Sequence, residues 1–348
     1  MRLLSLFALT VVVFACTNEE DHPPYLGDSD SSPPPSPGGG NGGNPIGDAS
    51  VGDAGAALAS ASNPEGIFVA GASLYYTNYA TGAGDGSVSV VSTSGGTPTD
   101  LATGLSGPRA VVVAGANVYF TLAPTAGTGG LSTVATTGGT VTSIQSNVTG
   151  AYGLATDGAN VYWTLNAGNN GGGAYVEQIA VGGTTAKQIL DFGGDVSPTS
   201  LALSGQDLYV PTDGTQAAVF WGTTNGATNL TPLDTQQSIT YADVAVGAAV
   251  VYATIDDVAP AGQIVSFPLH GGVATTVATG LDHPQRLALD GANLYFTDPD
   301  EGEVWVKDTT TSDAPVVFAS GLNAPLPIAV ADAVYVGDAD AIVKIPKL

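Results

Sequence analysis

Few residues in this chain have side chains suited to chemistry. Among 348 residues there are 3 His, 1 Cys, 3 Trp and 7 Lys+Arg, against 31 Asp+Glu. The densest acidic run is Asp298-Pro299-Asp300-Glu301-Gly302-Glu303. Asp298, Asp300, Glu301 and Glu303 are hard oxygen ligands around a Gly turn, a set that suits Ca2+. The spacing is not that of an EF-hand, because Gly302 follows Glu301 directly and the distant bidentate Glu is missing. Such acids also serve simply to close a loop by hydrogen bonds. Glu65, His283 and Asp298 are the candidates for acid–base catalysis, which would require them to converge on one pocket. No G-x-S-x-G, H-E-x-x-H, P-loop or nucleophilic Cys arrangement occurs.

Composition narrows the classes. A formal net charge of -24 excludes a nucleic-acid-coating surface, which needs clustered Lys and Arg. One Cys excludes an intramolecular disulfide framework and a Cys-based zinc site. Charged residues are 11% of the chain while hydrophobic residues reach 43%, too apolar for a disordered protein overall.

Residues 1–16 read MRLLSLFALTVVVFAC. Arg2 is followed by a mostly apolar run from Leu3 to Ala15, too short to span a bilayer and suited to a secretory signal. The end of the run, Val13-Phe14-Ala15-Cys16, resembles the bacterial lipobox. That resemblance implies cleavage before Cys16, lipidation of its thiol, and an exported lipoprotein held in the cell envelope. Thr17 rather than Asp follows, so the outer membrane is the expected site. A plain signal peptide with an incidental Cys is the alternative. Residues 1–15 are thus read as signal peptide. Residues 16–53 are read as the lipidated Cys and a linker rich in Pro, Gly, Ser and Asp, unable to bury enough surface to order itself. Residues 54–348 are read as one domain.

That domain is a repeat. Aligned on Tyr75, Tyr119, Tyr162, Tyr209, Tyr252, Tyr295 and Tyr335, a phrase of the LYYT/VYFT/VYWT type recurs at spacings of 44, 43, 47, 43, 43 and 40 residues. Each period holds an apolar strand, a tight turn such as AGAN or DGAN, the Tyr strand, a variable loop, a third strand, a Gly-Gly turn and a fourth strand. Four short antiparallel strands per period make the blade of a β-propeller. The last period stops after its third strand. Residues 58–64, LASASNP, resemble LATGLSGP at 101–108 and can supply the missing fourth. The expected fold is therefore all-β. It is a seven-bladed propeller whose last blade is composite, so that no edge is left open.

The Tyr phrase resembles YWTD-type and NHL-type propeller repeats. More distantly, the chain is similar to virginiamycin B lyase-like and gluconolactonase-like propellers. The latter resemblance implies a metal-binding Glu in the first blade, where Glu65 stands. The corresponding residues of later blades are Arg109, Tyr152, Thr199, Ala242, Gln285 and Leu326, so an Asn/Asp ligand set is not rebuilt there. The lyase resemblance implies a His and a Glu as acid and base. His283 would lie on the upper face and His270 on the opposite one, so a His pair is not expected.

In such a ring, the loops between second and third strands share the upper face with the blade-to-blade connections. Over a third of the 31 acids fall there, with Arg109 and Arg286 as the accompanying bases. The expected binding face thus includes Arg109, Asp256, Asp257 and Arg286, and its charge would attract cations or basic partners. The expected function is a monomeric, non-enzymatic binding scaffold, anchored to a membrane through Cys16 and taking a protein, peptide or glycan ligand. No cofactor is expected, Ca2+ being the one ion the acids suit. The alternative is a lyase or lactonase working in the channel mouth.

Overall fold

The computed structural model describes residues 52–53, 55–79, 84–124, 129–148, 150–166, 173–193, 196–226, 230–234, 239–257 and 260–347. Arg2, Cys16 and nearly all of the linker lie outside these. No helix occurs among the described residues. The strands form seven sheets, one per repeat, and in most of them the strands pair in chain order. Blade 1 is typical, running Pro64–Ala70, Ser73–Asn78, Gly86–Ser92 and Thr99–Leu105. The first strand of each blade is innermost and touches the innermost strands of both neighbours, which closes the ring.

Local sequence sets this arrangement. The hairpin between first and second strands needs positive φ, supplied by Gly115, Gly158 and Gly291 in the AGAN and DGAN turns. The Tyr strand is buried on both faces, so it reads as a continuous apolar run. Tyr119, Phe120, Tyr162, Trp163, Tyr209, Tyr295, Phe296 and Tyr335 are all at most 1% exposed. Burying each such side chain contributes roughly 1.5–3 kcal/mol.

The composite blade is present. Ala56–Ser60 pairs antiparallel with Ala341–Pro346 as the outermost strand of blade 7. The chain also reaches one blade further. Gly52–Asp53, which the sequence leaves in the linker, pairs in parallel with Val316–Ser320 on the outer edge of blade 6. These two strands thus straddle the two last blades. Blade 4 is the irregular one. Its innermost strand is split into Val196–Pro198 and Ala202–Ser204, and its outermost is only Thr231–Pro232.

The Thr of the repeat phrase joins blades together. Thr77 Oγ1 accepts from the Gly66 N–H of its own blade at 2.8 Å and donates to the Arg109 carbonyl of the next. Thr121, Thr254 and Thr297 make the same donation to the carbonyls of Tyr152, Gln285 and Leu326. Where blade 4 has Pro211 instead, Thr199 supplies a hydroxyl from the innermost strand and donates to the Tyr241 carbonyl.

Candidate functional site

The upper face carries two separate groups of functional side chains. The first lies at blades 1 to 3. Arg109 is only 5% exposed, with its guanidinium over the rings of Tyr79 (4.8 Å) and Tyr152 (5.4 Å). Its Nη1 is 3.5 Å from Glu65 Oε2, and its Nε donates to the Ala123 carbonyl. Glu65 is therefore an ion-pair partner of Arg109, and the pair fills the rim on this side.

The second group lies at blades 5 and 6. Asp256 and Asp257 end the second strand of blade 5. Asp282 and His283 sit on the connection that follows Thr275–Leu281. Asp298 to Glu303 form the turn between Asn293–Asp298 and Glu303–Asp308. His283 has a φ of 42°, and its N–H donates to the Asp257 carbonyl. This aims the ring at Asp256, whose Oδ1 is 2.7 Å from His283 Nδ1. His283 Nε2 stands 4.0 Å from Asp300 Oδ2. Partial burial would lower the imidazole pKa, but the Asp256 hydrogen bond and the charges of Asp256, Asp300 and Asp282 outweigh it and raise it.

Asp298 is 2% exposed, and burial pushes its carboxyl up to about 6. The Glu301 N–H on its Oδ1 acts against this, while the charges of Glu301, Asp282 and Asp300 add to it. Burial and the Glu301 charge raise Glu303 as well. Of the three acid–base candidates, His283 and Asp298 share one acidic group, and Glu65 belongs to the other.

Inside the ring, on the innermost strand of blade 5, lies Asp243, which the sequence reading passed over. It is 2% exposed and accepts from the Ser200 hydroxyl (2.6 Å), the Val244 N–H and the Leu287 N–H. Burial raises its pKa against the opposing charge of Arg286 and these hydrogen bonds. Arg286 is also 2% exposed, and its three guanidinium nitrogens make no hydrogen bond. A signal existed in the sequence. The corresponding residues of blades 1 to 4 are Gly66, Ala110, Gly153 and Ser200, so a carboxylate there stands out.

Both arginines of the upper face are thus buried. The four lysines serve the lower face. Lys344 bonds Asp332 and the Thr93 carbonyl, Lys347 bonds Asp290, and Lys307 bonds the Asp308 and Thr311 carbonyls. Lys187 lines a lower cleft of about 470 Å3 with Asp157, Asn160, Tyr162 and Gln206. His270 is on the lower face too, 3.1 Å from Asp207 and against the Trp221 ring.

No family model and no curated protein matches the chain. Solved structures do match. A selenomethionine-substituted virginiamycin B lyase from Staphylococcus aureus is similar with a TM-score of 0.64 at 14% identity, covering 82% of this chain and 96% of that one. A catalytically inactive form of that enzyme with quinupristin gives 0.58 at 13% identity, over 82% and 95%. A streptogramin B lyase gives 0.58 at 14% identity, over 82% and 93%. These likenesses establish the propeller fold and do not extend to activity.

Proposed function

We propose that this propeller is a non-enzymatic binding module. It is tethered in the cell envelope through lipid on Cys16, and its acidic upper face receives a basic protein or peptide segment. One observation carries the reading. Asp256, Asp257, Asp282, Asp300, Glu301 and Glu303 cluster on the loops of blades 5 and 6, while both upper-face arginines are buried. Such one-signed charge steers a cationic partner and would repel nucleic acid or an acidic one. A glycan without positive charge would gain nothing from it.

The test uses the full-length protein and a fluorescent Lys/Arg-rich peptide beside a neutral peptide of equal length. The basic peptide should bind and be released by added salt, and the double variant Asp256→Asn/Asp257→Asn should weaken it several-fold. Equal binding of both peptides, or binding indifferent to the variant, would overturn the reading. Cys16→Ala should move the protein out of the membrane fraction.

A lyase or lactonase is the second reading, favoured by the hydrogen-bonded Asp256–His283 pair, which has the form of a general base with its orienting carboxylate. Incubation with quinupristin decides it. A product that disappears with His283→Ala supports the enzyme, and no turnover rejects it.

A further inference from the structure

We propose that Asp282, His283 and Asp300 bind one divalent transition-metal ion, with Asp256 holding His283 in the ligating tautomer. The inference goes beyond the binding-module reading and does not depend on it.

The donor atoms of these three side chains all lie within 4.8 Å of one another. They come from two loops that flank blade 6, the blade 5 to blade 6 connection and the turn of blade 6, set side by side by the bonds between Gln285–Arg286 and Thr297. The 4.0 Å between His283 Nε2 and Asp300 Oδ2 is too long for a hydrogen bond. It is close to the separation of two ligands on one ion, because arms of ~2.1 Å in a tetrahedral site put donors ~3.4 Å apart. Asp300 is exposed, so a small side-chain rotation closes the difference.

The chemistry of the ring points the same way. In the neutral imidazole Asp256 Oδ1, at 2.7 Å, accepts the hydrogen bond of Nδ1–H, which leaves the lone pair on Nε2. That nitrogen has no hydrogen-bond partner among the described residues and faces Asp300. A carboxylate behind a His, fixing the ring so that its other nitrogen points at a metal, is the usual second layer of a metal site. One nitrogen and two carboxylates suit Zn2+, Co2+ or Mn2+ better than Ca2+, which prefers six to eight oxygens. Three protein ligands leave a coordination position for water or an incoming group.

This set shares only Asp300 with the four acids that the sequence suggests for Ca2+. Asp298 is buried beneath the turn and bonded to the Glu301 N–H, so it shapes the loop that carries Asp300.

Calorimetric titration of the full-length protein with Zn2+, Mn2+ and Ca2+ tests the site. The expected result is one saturable Zn2+ site. His283→Ala should weaken it at least tenfold, and Asp256→Asn by about 10–100-fold. His270→Ala, on the opposite face, should leave it unchanged. Circular dichroism of each variant checks that the fold is kept, and Asp300→Asn gives a second variant that leaves His283 in place. No saturable Zn2+ binding would overturn the proposal. So would Zn2+ binding unaffected by both His283→Ala and Asp300→Asn, or Ca2+ binding more tightly than Zn2+.

Discussion

The hydroxyl of Thr77, in blade 1, donates a 2.6 Å hydrogen bond to the carbonyl of Arg109, in blade 2. The same oxygen accepts from Gly66 N–H. One buried hydroxyl thus holds its own blade's innermost strand and the next blade's at once. Thr77→Val keeps the shape and leaves a buried N–H and a buried carbonyl without this partner. A loss of ~1–3 kcal/mol is expected from urea unfolding. Thr77→Ser should retain most of the stability, because the hydroxyl is kept.

Arg109 is held by shape as much as by charge. Its flat guanidinium lies over Tyr79 and Tyr152 while meeting Glu65 and the Ala123 carbonyl. A lysine has one compact ammonium and cannot make these contacts together. Arg109→Lys should therefore cost ~1 kcal/mol or more, read as a lower denaturant midpoint. If it proves neutral, the stacking is not contributing.

Much of the ring was legible because the repeat states its rules seven times. The Tyr phrase marks the second strand, and the Gly-containing hairpins and Gly-Gly pairs mark the turns. Even the composite blade could be read, from the missing last strand and the likeness of 58–64 to 101–108. Gly52–Asp53 could not be read, since a two-residue parallel pairing leaves no hydrophobic pattern. The sites were harder for a related reason. Arg109 and Arg286 sit in loop-adjacent positions that look exposed in sequence, yet the innermost strands crowd together and bury both. The pairing of His283 with Asp256 spans 27 residues and depends on how two blades meet.

Gly337 takes the place of the joining Thr in blade 7. A Cβ there would stand 2.4 Å from Pro327 Cγ and 2.8 Å from Pro64 Cγ, at the junction of the last blade with the first. Gly337→Ala must push two rigid rings apart where the ring closes. A loss of ~1–3 kcal/mol in chemical unfolding is expected. An unchanged midpoint would mean that the junction yields freely.

Acid should unfold the protein partly through its lower turns. Partial burial of Asp157 would raise its pKa, but the N–H of Asn160, the Tyr162 hydroxyl and the Asn160 side chain outweigh it and hold it below the usual range. Asp332 is held low by its hydrogen bonds from Lys344 and Tyr335. A carboxyl whose folded pKa lies below its unfolded value of ~3.9 gives stability above that pH and loses it as pH falls through the folded value. Asp157→Asn should therefore lower the melting temperature at pH 7 and flatten its decline below about pH 4. A decline as steep as in the wild type would assign the acid limb to other groups.

Asp243 and Arg286 are oppositely charged and both buried, and the Arg286 charge acts against the burial that raises the Asp243 pKa. Asp243→Ala removes the acceptor of Ser200, Val244 and Leu287 and leaves the Arg286 charge without its counterpart. Removing one of two opposed buried charges together with three hydrogen bonds is costly, whereas replacing both charged residues by apolar groups is often nearly neutral. Asp243→Ala alone should thus be severely destabilising, and Asp243→Ala/Arg286→Met should recover much of the loss. Burial sets the pH behaviour too. A carboxyl with a raised folded pKa penalises the fold above that pKa, and the penalty lifts as pH falls toward the unfolded value. Wild type should therefore gain more than the double variant as pH falls from neutral toward the unfolded carboxyl value of ~3.9. Equal gains in the two proteins would remove Asp243 as the cause.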